Sequence, residues 1–260
     1  MLALLLVVSC SPWAEEDWIV ERFDLRDSRG LDYAVYVFVP RGAAPGDDLP
    51  YVIALDGDIL HERLRDGLAR RDDDSSAGDW ALVSIGFGGD LSEAMRRRSL
   101  EYVPAVGDVP GEVGPLGEFL ESRVLPELES RYPALSSRTE DRVLSGHSLG
   151  GLAVVCMALE RPALASACIA VSPAFWYGDL ALLRLADEAK ERGLSLDKLF
   201  MAVGEYDTSS LILTADAALQ GLATRFPGLL SSEITVPGAD HYGAVVPGFL
   251  AGLEWIDARR

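Results

Sequence analysis

The chain has 260 residues and a formal net charge of −18, with 41 acidic side chains against 23 lysines and arginines. That charge argues against nucleic-acid binding, which needs a basic face to replace the counterions released from the phosphates. The length suits one α/β domain, and hydrophobic residues make up 49% of the chain, enough for a sizeable core. Composition therefore predicts a globular protein and leaves its substrate open.

The N-terminus begins with an apolar run from Met1 to Val8, which is too short to span a bilayer and is typical of a signal peptide. The run ends in Val7-Val8-Ser9-Cys10, which resembles the bacterial lipobox, although no basic segment precedes it. We therefore expect residues 1–17 to be a lipoprotein-type signal peptide and tether, lipidated at Cys10. The expected location is the bacterial cell envelope, with a lipid anchor in the membrane. The alternative is a cytoplasmic protein with an apolar N-terminus.

Apolar patterning predicts the first four strands. Trp18 to Asp24 and Leu31 to Pro40 alternate apolar and polar residues around Asp27-Ser28-Arg29-Gly30, which predicts an antiparallel hairpin. Tyr51 to Leu55 and Ala81 to Gly86 are largely apolar, and we expect both to be strands buried on two faces.

Helical and loop segments separate and follow these strands. Ile59 to Arg71 is predicted as a helix, and Asp72-Asp73-Asp74 as a solvated loop, because no further acidic residues follow at cation-ligand spacing. Residues 87–112 lack clear periodicity and are rich in glycine, proline and charge, which predicts a lid-like loop. Leu116 to Tyr132 has helical spacing, with a kink expected at Pro126.

The second half of the chain alternates strands with helices. This order predicts an α/β fold, with a mostly parallel central sheet flanked by helices and one domain over residues 18–260. The predicted strands after residue 142 begin at Val143 and then cover Ala167–Val171, Leu199–Val203 and Glu233–Val236. The predicted helices follow Ser148 and then cover Leu180–Arg192, Leu211–Phe226 and Phe249–Ala258.

A strand, a tight turn and a helix meet at Gly146-His147-Ser148-Leu149-Gly150, which fits the G-x-S-x-G pattern of a nucleophile elbow. The serine of such an elbow lies on so sharp a turn that the residues two positions away have no room for side chains. The helix that follows points free N–H groups at the reaction site. The pattern therefore predicts Ser148 as a catalytic nucleophile.

An elbow serine needs a base, and the chain has three histidines. His147 lies inside the elbow, so we expect its side chain to point elsewhere. His61 lies in the predicted helix after the third strand, too early in the chain for the usual order of serine, acid and histidine. His241 follows the last predicted strand, where α/β-hydrolases keep the base, and is the predicted base.

The acid that orients the base should follow the strand ending in Gly204-Glu205-Tyr206-Asp207. Asp207 and Glu205 both qualify, and Asp207 is preferred because it lies three residues after Gly204. Asp216 and Asp240 remain as further alternatives.

Two N–H groups should stabilise the negative charge that develops on the substrate oxygen. One belongs to Leu149, the residue after the nucleophile, and the other to Asp58 or Gly57 in the turn after the third strand. The carboxylate of Asp58 must point away from such a site.

Cys156 and Cys168 are expected to be free, buried thiols, and no Cys/His cluster has metal-ligand spacing, so no metal or cofactor is implied.

From about Tyr51 to the C-terminus the chain resembles the putative esterase family of α/β-hydrolases, and within it the ferric-siderophore (enterobactin and salmochelin) esterase branch. The stretches that carry the resemblance are Leu55-Asp56-Gly57-Asp58, Ser84-Ile85-Gly86-Phe87, Arg97 to Pro104, Glu118 to Leu128, the elbow, Ser172 to Trp176, Val203 to Asp207 and Pro237 to His241. The resemblance implies Ser148 as nucleophile, His241 as base and N–H groups at Asp58 and Leu149.

The same resemblance implies an open substrate site near Arg98 and Trp176, beside Gly57. The sequence departs from the family at Ser99-Leu100-Glu101, where relatives often have an aspartate. An arginine of Arg96-Arg97-Arg98 has two possible roles. It would hold an anionic substrate such as a catecholate complex, or Arg98 would pair with Glu101 or Asp90 to fix the loop.

These observations lead to three hypotheses. The first is a serine esterase that cleaves a carboxylic ester through an acyl-enzyme, with a soluble or envelope-associated ester such as a siderophore lactone as substrate. The second is an acyltransferase that moves the acyl group to an alcohol or sugar. The third is a non-catalytic envelope lipoprotein that binds a ligand in the cleft.

Overall fold

The computed structural model describes residues 17–70 and 80–260. The signal peptide and tether, the lipidation site Cys10 and the Asp72-Asp73-Asp74 segment were predicted from the sequence. All but the last tether residue lie outside the described residues.

One eight-stranded sheet runs through the protein in the order β1-β2-β4-β3-β5-β6-β7-β8. β1 pairs antiparallel with β2, and β2 pairs antiparallel with β4, whereas all the remaining pairs are parallel. The expected hairpin and mostly parallel sheet are therefore confirmed. The strands are β1 Trp18–Arg26, β2 Asp32–Pro40, β3 Tyr51–Leu55, β4 Ala81–Gly86, β5 Arg142–His147, β6 Ala167–Val171, β7 Lys198–Gly204 and β8 Leu230–Val236.

Helices cover both faces of the sheet, as expected for an α/β fold. The helices are α1 Gly57–Ala69, α2 Leu91–Glu101, α3 Val113–Phe119, α4 Leu125–Arg131, α5 Leu149–Glu160, α6 Ala181–Glu191, α7 Ser209–Arg225 and α8 Val245–Asp257. α1 and α8 bury their apolar faces together against one side of the sheet. α3 to α7 pack on the other side, where α5 is buried along almost its whole length. Among the described residues no helix combines the length and apolar character needed to cross a bilayer.

The strands buried on both faces are the ones that the sequence marks by continuous apolar runs. Every residue of β3, β4, β5 and β6 is buried, and these four strands form the centre of the sheet. Because β3, β5, β6, β7 and β8 are parallel, their carboxyl ends meet at one edge, where ligand sites of such sheets form.

The structure corrects the loop expected over residues 87–112. Leu91–Glu101 within it form α2, whose first turn is capped by the Asp90 side chain accepting a hydrogen bond from the Glu93 N–H. The buried positions of α2 are Ala94, Arg97 and Glu101, so the helix buries charged side chains and shows little apolar periodicity.

The irregularity expected at Pro126 lies just before the proline. A π-helical segment, Leu120–Val124, joins α3 to α4, and Pro126 stands in the first turn of α4. Proline has no N–H and its ring collides with the carbonyl four residues earlier, so the wider π turn accommodates it without ending the helix.

Candidate active site

The carboxyl edge of the sheet brings together the residues singled out by the sequence. Asp58 follows β3, Ser148 follows β5, Asp207 follows β7 and His241 follows β8. Because the strands are parallel neighbours, these four residues lie on one side of the protein despite their separation in the chain.

The turn at Ser148 is backbone-strained in the way that an elbow requires. Ser148 has φ 57° and ψ −118°, outside the regions that residues with side chains favour. A Cβ on Gly146 would lie 2.2 Å from the Gly150 carbonyl oxygen, so no side chain fits at position 146. The Ser148 N–H donates to Val171 and its carbonyl accepts from Ala174, which holds the turn against the end of β6.

Leu149 is the first residue of α5, so its N–H has no acceptor within the helix. At the end of β3, the carbonyl of Asp56 accepts hydrogen bonds from Ile59 and Leu60 to begin α1. The N–H groups of Gly57 and Asp58 come before the first hydrogen-bonded donors of α1, and they lie at the same carboxyl edge of the sheet. The structure therefore places the predicted donors, Leu149 and either Asp58 or Gly57, at helix N-termini, where an oxyanion is favoured.

The Asp58 carboxylate is held by donors from β2 and from the turn after β4. It accepts hydrogen bonds from the Tyr36 hydroxyl at 2.8 Å, the Phe87 N–H at 2.5 Å and the Gly88 N–H at 3.2 Å. A Cβ on Gly86 would lie 2.5 Å from this carboxyl group, so the glycine makes room for it.

The predicted base and acid are in contact. His241 Nδ1 lies 2.7 Å from Asp207 Oδ1, and the Asp207 side chain is 1% exposed. The other oxygen, Oδ2, accepts from the Ser172 hydroxyl at 2.6 Å and the Gly204 N–H at 2.7 Å. Burial would raise the pKa of Asp207, but these hydrogen bonds outweigh it and hold the pKa below its usual value. A carboxylate thus faces His241, which leaves Nε2 free for proton transfer.

The alternative acids have other partners. Glu205 is exposed and its Oε2 accepts from the Gly238 N–H at 2.6 Å. Asp240 Oδ1 accepts from the Gly243 N–H at 2.7 Å. Asp216 interacts with Glu233, whose pKa burial and Asp216 together raise to about 7. The geometry therefore favours Asp207 as the carboxylate that orients His241.

The His147 side chain lies beside the predicted base, contrary to the expectation that it points elsewhere. Its ring centroid is 4.4 Å from that of His241, and Nε2 donates to the His241 carbonyl at 2.8 Å. Burial lowers the pKa of His147 to about 4, so the ring is neutral at pH 7 and adds no charge next to the base. His61, by contrast, is buried against Ser84, with Nδ1 2.9 Å from the Ser84 hydroxyl.

Arg98 pairs with neither of the partners expected from the sequence. Its Nε and Nη2 contact Asp56 Oδ1 and Oδ2 at 2.7 and 3.0 Å, and Nη2 also donates to the His147 carbonyl at 3.0 Å. Glu101 pairs instead with Arg97 at 2.7 Å, and Arg97 stacks over the Tyr33 ring. Arg98 still lines the small cavity that contains Ser148, so a substrate contact for it stays a prediction.

Exposed aromatic side chains surround the site. Trp176 after β6, Tyr206 after β7 and Tyr242 after β8 are 52%, 67% and 58% exposed. Tyr242 lines the same cavity as Ser148, and a second cavity of about 480 Å³ borders Gly57. These three rings follow strands whose carboxyl ends meet at one edge of the sheet, and a substrate contact for them stays a prediction.

Cys156 and Cys168 are buried and free, as expected. Among the described residues no group of histidine, cysteine and acidic side chains is arranged to hold a metal.

Sequence reasoning missed three supporting residues. They are Asp56, which holds Arg98; Ser172, which donates to Asp207; and His147, which holds the His241 carbonyl. All three lie in stretches that carried the family resemblance, but a partner across the fold leaves no periodic signal in sequence.

The sheet order, the strained serine after β5 and the acid–histidine pair after β7 and β8 define the α/β-hydrolase class. Within that class, the chain belongs to the family described as "Putative esterase", whose model matches residues 27–208.

Known relatives include siderophore esterases. The chain is 29% identical over 135 residues to the apo-salmochelin esterase of Escherichia coli O6:H1, a match that spans 47% of this chain and 41% of that relative. Among solved structures, the BES protein from Bacillus cereus has a TM-score of 0.79 at 17% identity, covering 91% of this chain and 95% of its own. The siderophore hydrolase EstB from Aspergillus nidulans has a TM-score of 0.76 at 24% identity, covering 91% and 94%. These structural likenesses establish the fold.

The Asp207–His241 contact predicts which acid the reaction depends on. Asp207→Asn keeps the shape but removes the charge that selects the His241 tautomer, so we expect kcat for ester hydrolysis to fall on the order of 10⁴-fold. Glu205→Gln is the matched control in the same turn and should stay within about threefold of wild type. A large loss in Glu205→Gln with a small one in Asp207→Asn would reverse the assignment.

The Ser172–Asp207 hydrogen bond predicts a pH-dependent stability. The depressed pKa of Asp207 stabilises the fold above about pH 4, and this contribution is lost as pH falls through the folded-state pKa. Ser172→Ala removes a donor to the carboxylate, so we expect it to lower the unfolding free energy by about 2 kcal/mol at pH 7. The difference from wild type should shrink below about pH 4.

Urea unfolding between pH 3 and 7 measures this difference. Ser195→Ala removes a comparable hydrogen bond, to Asp197 at the surface, and should change stability by less than about 0.5 kcal/mol. A loss in Ser172→Ala that is the same at every pH would contradict the role assigned to the carboxylate.

Proposed function

We propose that this protein is a serine esterase that hydrolyses a carboxylic ester through an acyl-enzyme. Ser148 Oγ attacks the ester carbonyl carbon while His241 Nε2 takes the hydroxyl proton. The proton then passes to the departing alkoxide, leaving the acyl group on Ser148. Water attacks the acyl-enzyme with His241 again as base, and the acid is released with Ser148 regenerated.

The observation that carries this proposal is the 2.7 Å contact between His241 Nδ1 and the buried Asp207 carboxylate, next to a strained serine elbow. An aspartate that is ionised and buried stabilises the imidazolium formed in each proton transfer. Because Nδ1 is committed to Asp207, Nε2 is the nitrogen that can serve Ser148. This division of roles requires Ser148 and His241 Nε2 to come within hydrogen-bonding reach in the reaction, and the positions of both residues at the carboxyl edge of one parallel sheet support that requirement.

The N–H groups of Leu149 and Asp58 would donate hydrogen bonds to the carbonyl oxygen and stabilise the negative charge that develops on it. Both stand in the first turn of a helix, so the donors are fixed before the substrate arrives and need no rearrangement. Each such donor is worth about 3 kcal/mol of transition-state stabilisation in enzymes where it has been removed.

We further propose a siderophore ester, such as an aromatic lactone, as the substrate. Two relatives are described as an apo-salmochelin esterase and a siderophore hydrolase. The exposed rings of Trp176, Tyr206 and Tyr242 fit this class, because aromatic side chains stack with planar catechol rings. A cavity of about 480 Å³ borders Gly57 and Asp58, the alternative donors after β3, and we propose that it holds parts of a large substrate beyond the ester.

The envelope location and lipid anchor also belong to this proposal. They are supported by the apolar run of residues 1–8 and the lipobox-like Val7-Val8-Ser9-Cys10. An anchored esterase at the envelope would meet its ester before or as it enters the cell.

Hydrolysis by the purified full-length chain tests the chemistry. We expect p-nitrophenyl acetate turnover that is abolished in Ser148→Ala, and a mass increase equal to one acyl group on Ser148 after rapid quenching. Equal activity in Ser148→Ala would contradict the mechanism.

With a catechol-bearing trilactone, Trp176→Ala should raise KM severalfold while leaving the KM of the aliphatic ester triacetin unchanged. Equal effects on both esters would remove the support for an aromatic substrate.

Lipidation is tested separately in a bacterial host fed labelled palmitate. We expect the label in the full-length chain and its loss in Cys10→Ala, with Ser148-dependent esterase activity kept in both. Cys156→Ala is the matched cysteine control and should keep the label. Absence of label in the wild-type chain would contradict the anchor and leave the esterase proposal in place.

A further inference from the structure

A single guanidinium joins three segments beside the candidate site. Arg98 stands in the last turn of α2, with a side chain that is 12% exposed. Its two nitrogens Nε and Nη2 contact both carboxyl oxygens of Asp56, and Nη2 also donates to the His147 carbonyl. The fork of an arginine fixes both distance and orientation, which an ammonium group does not.

Both of its partners precede the oxyanion donors by the same interval. Asp56 lies two residues before Asp58, and His147 lies two residues before Leu149. Each intervening stretch is a tight turn at the start of a helix, with φ 60° at Asp56 and φ 57° at Ser148. A shift of either partner is therefore carried into the direction of the N–H group two residues later.

The Asp56 turn is held from its other side as well. The Asp56 N–H donates to the buried Tyr102 hydroxyl at 3.0 Å, and Tyr102 follows α2 directly. A Cβ on Gly150 would lie 3.2 Å from Asp56 Oδ2, so this carboxylate also packs against the first turn of α5. The end of α2 thus contacts the β3–α1 turn and the elbow together.

We propose that Arg98 is a positioning residue for the oxyanion hole, fixing the N–H groups of Asp58 and Leu149 relative to each other through Asp56 and the His147 carbonyl. This inference rests on the proposed esterase function and adds a role for a helix, α2, that contributes no atom to the Ser148–His241–Asp207 arrangement. The anionic-substrate role is the alternative, and the two predict different kinetics.

Variants of the pair separate these roles. Misplacement of reacting groups by about 1 Å costs roughly 100-fold in rate, and loss of one oxyanion donor costs roughly 10²- to 10³-fold. We therefore expect Arg98→Met to lower kcat/KM for neutral p-nitrophenyl acetate on the order of 100-fold. Arg98→Lys, which keeps the charge but loses the fork, and Tyr102→Phe, which removes the acceptor for the Asp56 N–H, should each lose roughly tenfold.

The matched control is Arg96→Met, because Arg96 lies on the same helix but is 66% exposed and pairs with Glu93. It should keep wild-type kinetics. The second readout is the Ki of a trifluoromethyl ketone, which forms an oxyanion on Ser148. Across the variants Ki should rise by the same factor as kcat/KM falls, with KM for the ester nearly unchanged. A merely structural loss would lower the melting temperature or the titratable active fraction without changing Ki per active site.

Wild-type kcat/KM and Ki in both Arg98→Lys and Tyr102→Phe would overturn the proposal, even if Arg98→Met fails to fold. A rise in KM confined to anionic esters, with Ki unchanged, would also overturn it, in favour of substrate binding by Arg98. A wild-type chain without Ser148-dependent hydrolysis would instead overturn the proposed function, and the positioning role with it.

Discussion

The structure depends on how closely the elbow of β5 and α5 is packed. A hydrogen at position 146 is all that fits against the Gly150 carbonyl, and this contact keeps Ser148 in a backbone conformation that costs free energy. The fully buried central strands and α5, which is buried along almost its whole length, supply the rigidity that holds it there. A serine held in this way lies at the carboxyl edge of the sheet, directly before the N-terminus of α5.

Around that elbow the protein buries several charged or polar groups and gives each a partner. The Asp207 carboxylate has three donors, and the Asp56 carboxylate has both branches of an arginine fork. Burial of an unpaired carboxylate is costly, so these contacts decide whether the site can exist at all. The neutral His147 fits the same logic, because a second cation beside His241 would oppose the imidazolium formed in catalysis.

The sequence was sufficient for the parts of the fold that depend on apolar burial or on backbone sterics. β3 and β4 match their apolar runs, and the elbow lies at its glycine pattern. β8 begins at Leu230 rather than at the predicted Glu233, because it is an edge strand with mostly exposed or half-buried residues. His241 followed from chain order, whereas Ser172 and Asp56 act through partners 35 and 42 residues away in the chain.

α2 was not predicted from the sequence, because its residues lack the apolar pattern of a helix. Its buried face consists of Ala94, Arg97 and Glu101, so helical spacing is present but is carried by charged residues. Arg97 becomes compatible with burial through Glu101, the Asp32 carbonyl and the rings of Tyr33 and Phe87, and a hydrophobic pattern registers none of these contacts. The position of a helix that is held by ion pairs rather than by apolar packing depends on the geometry of those pairs more than on the buried surface area. Such a helix is well suited to set the orientation of backbone groups at an active site. A small displacement breaks its directional ion pairs, whereas apolar contacts would tolerate the same displacement.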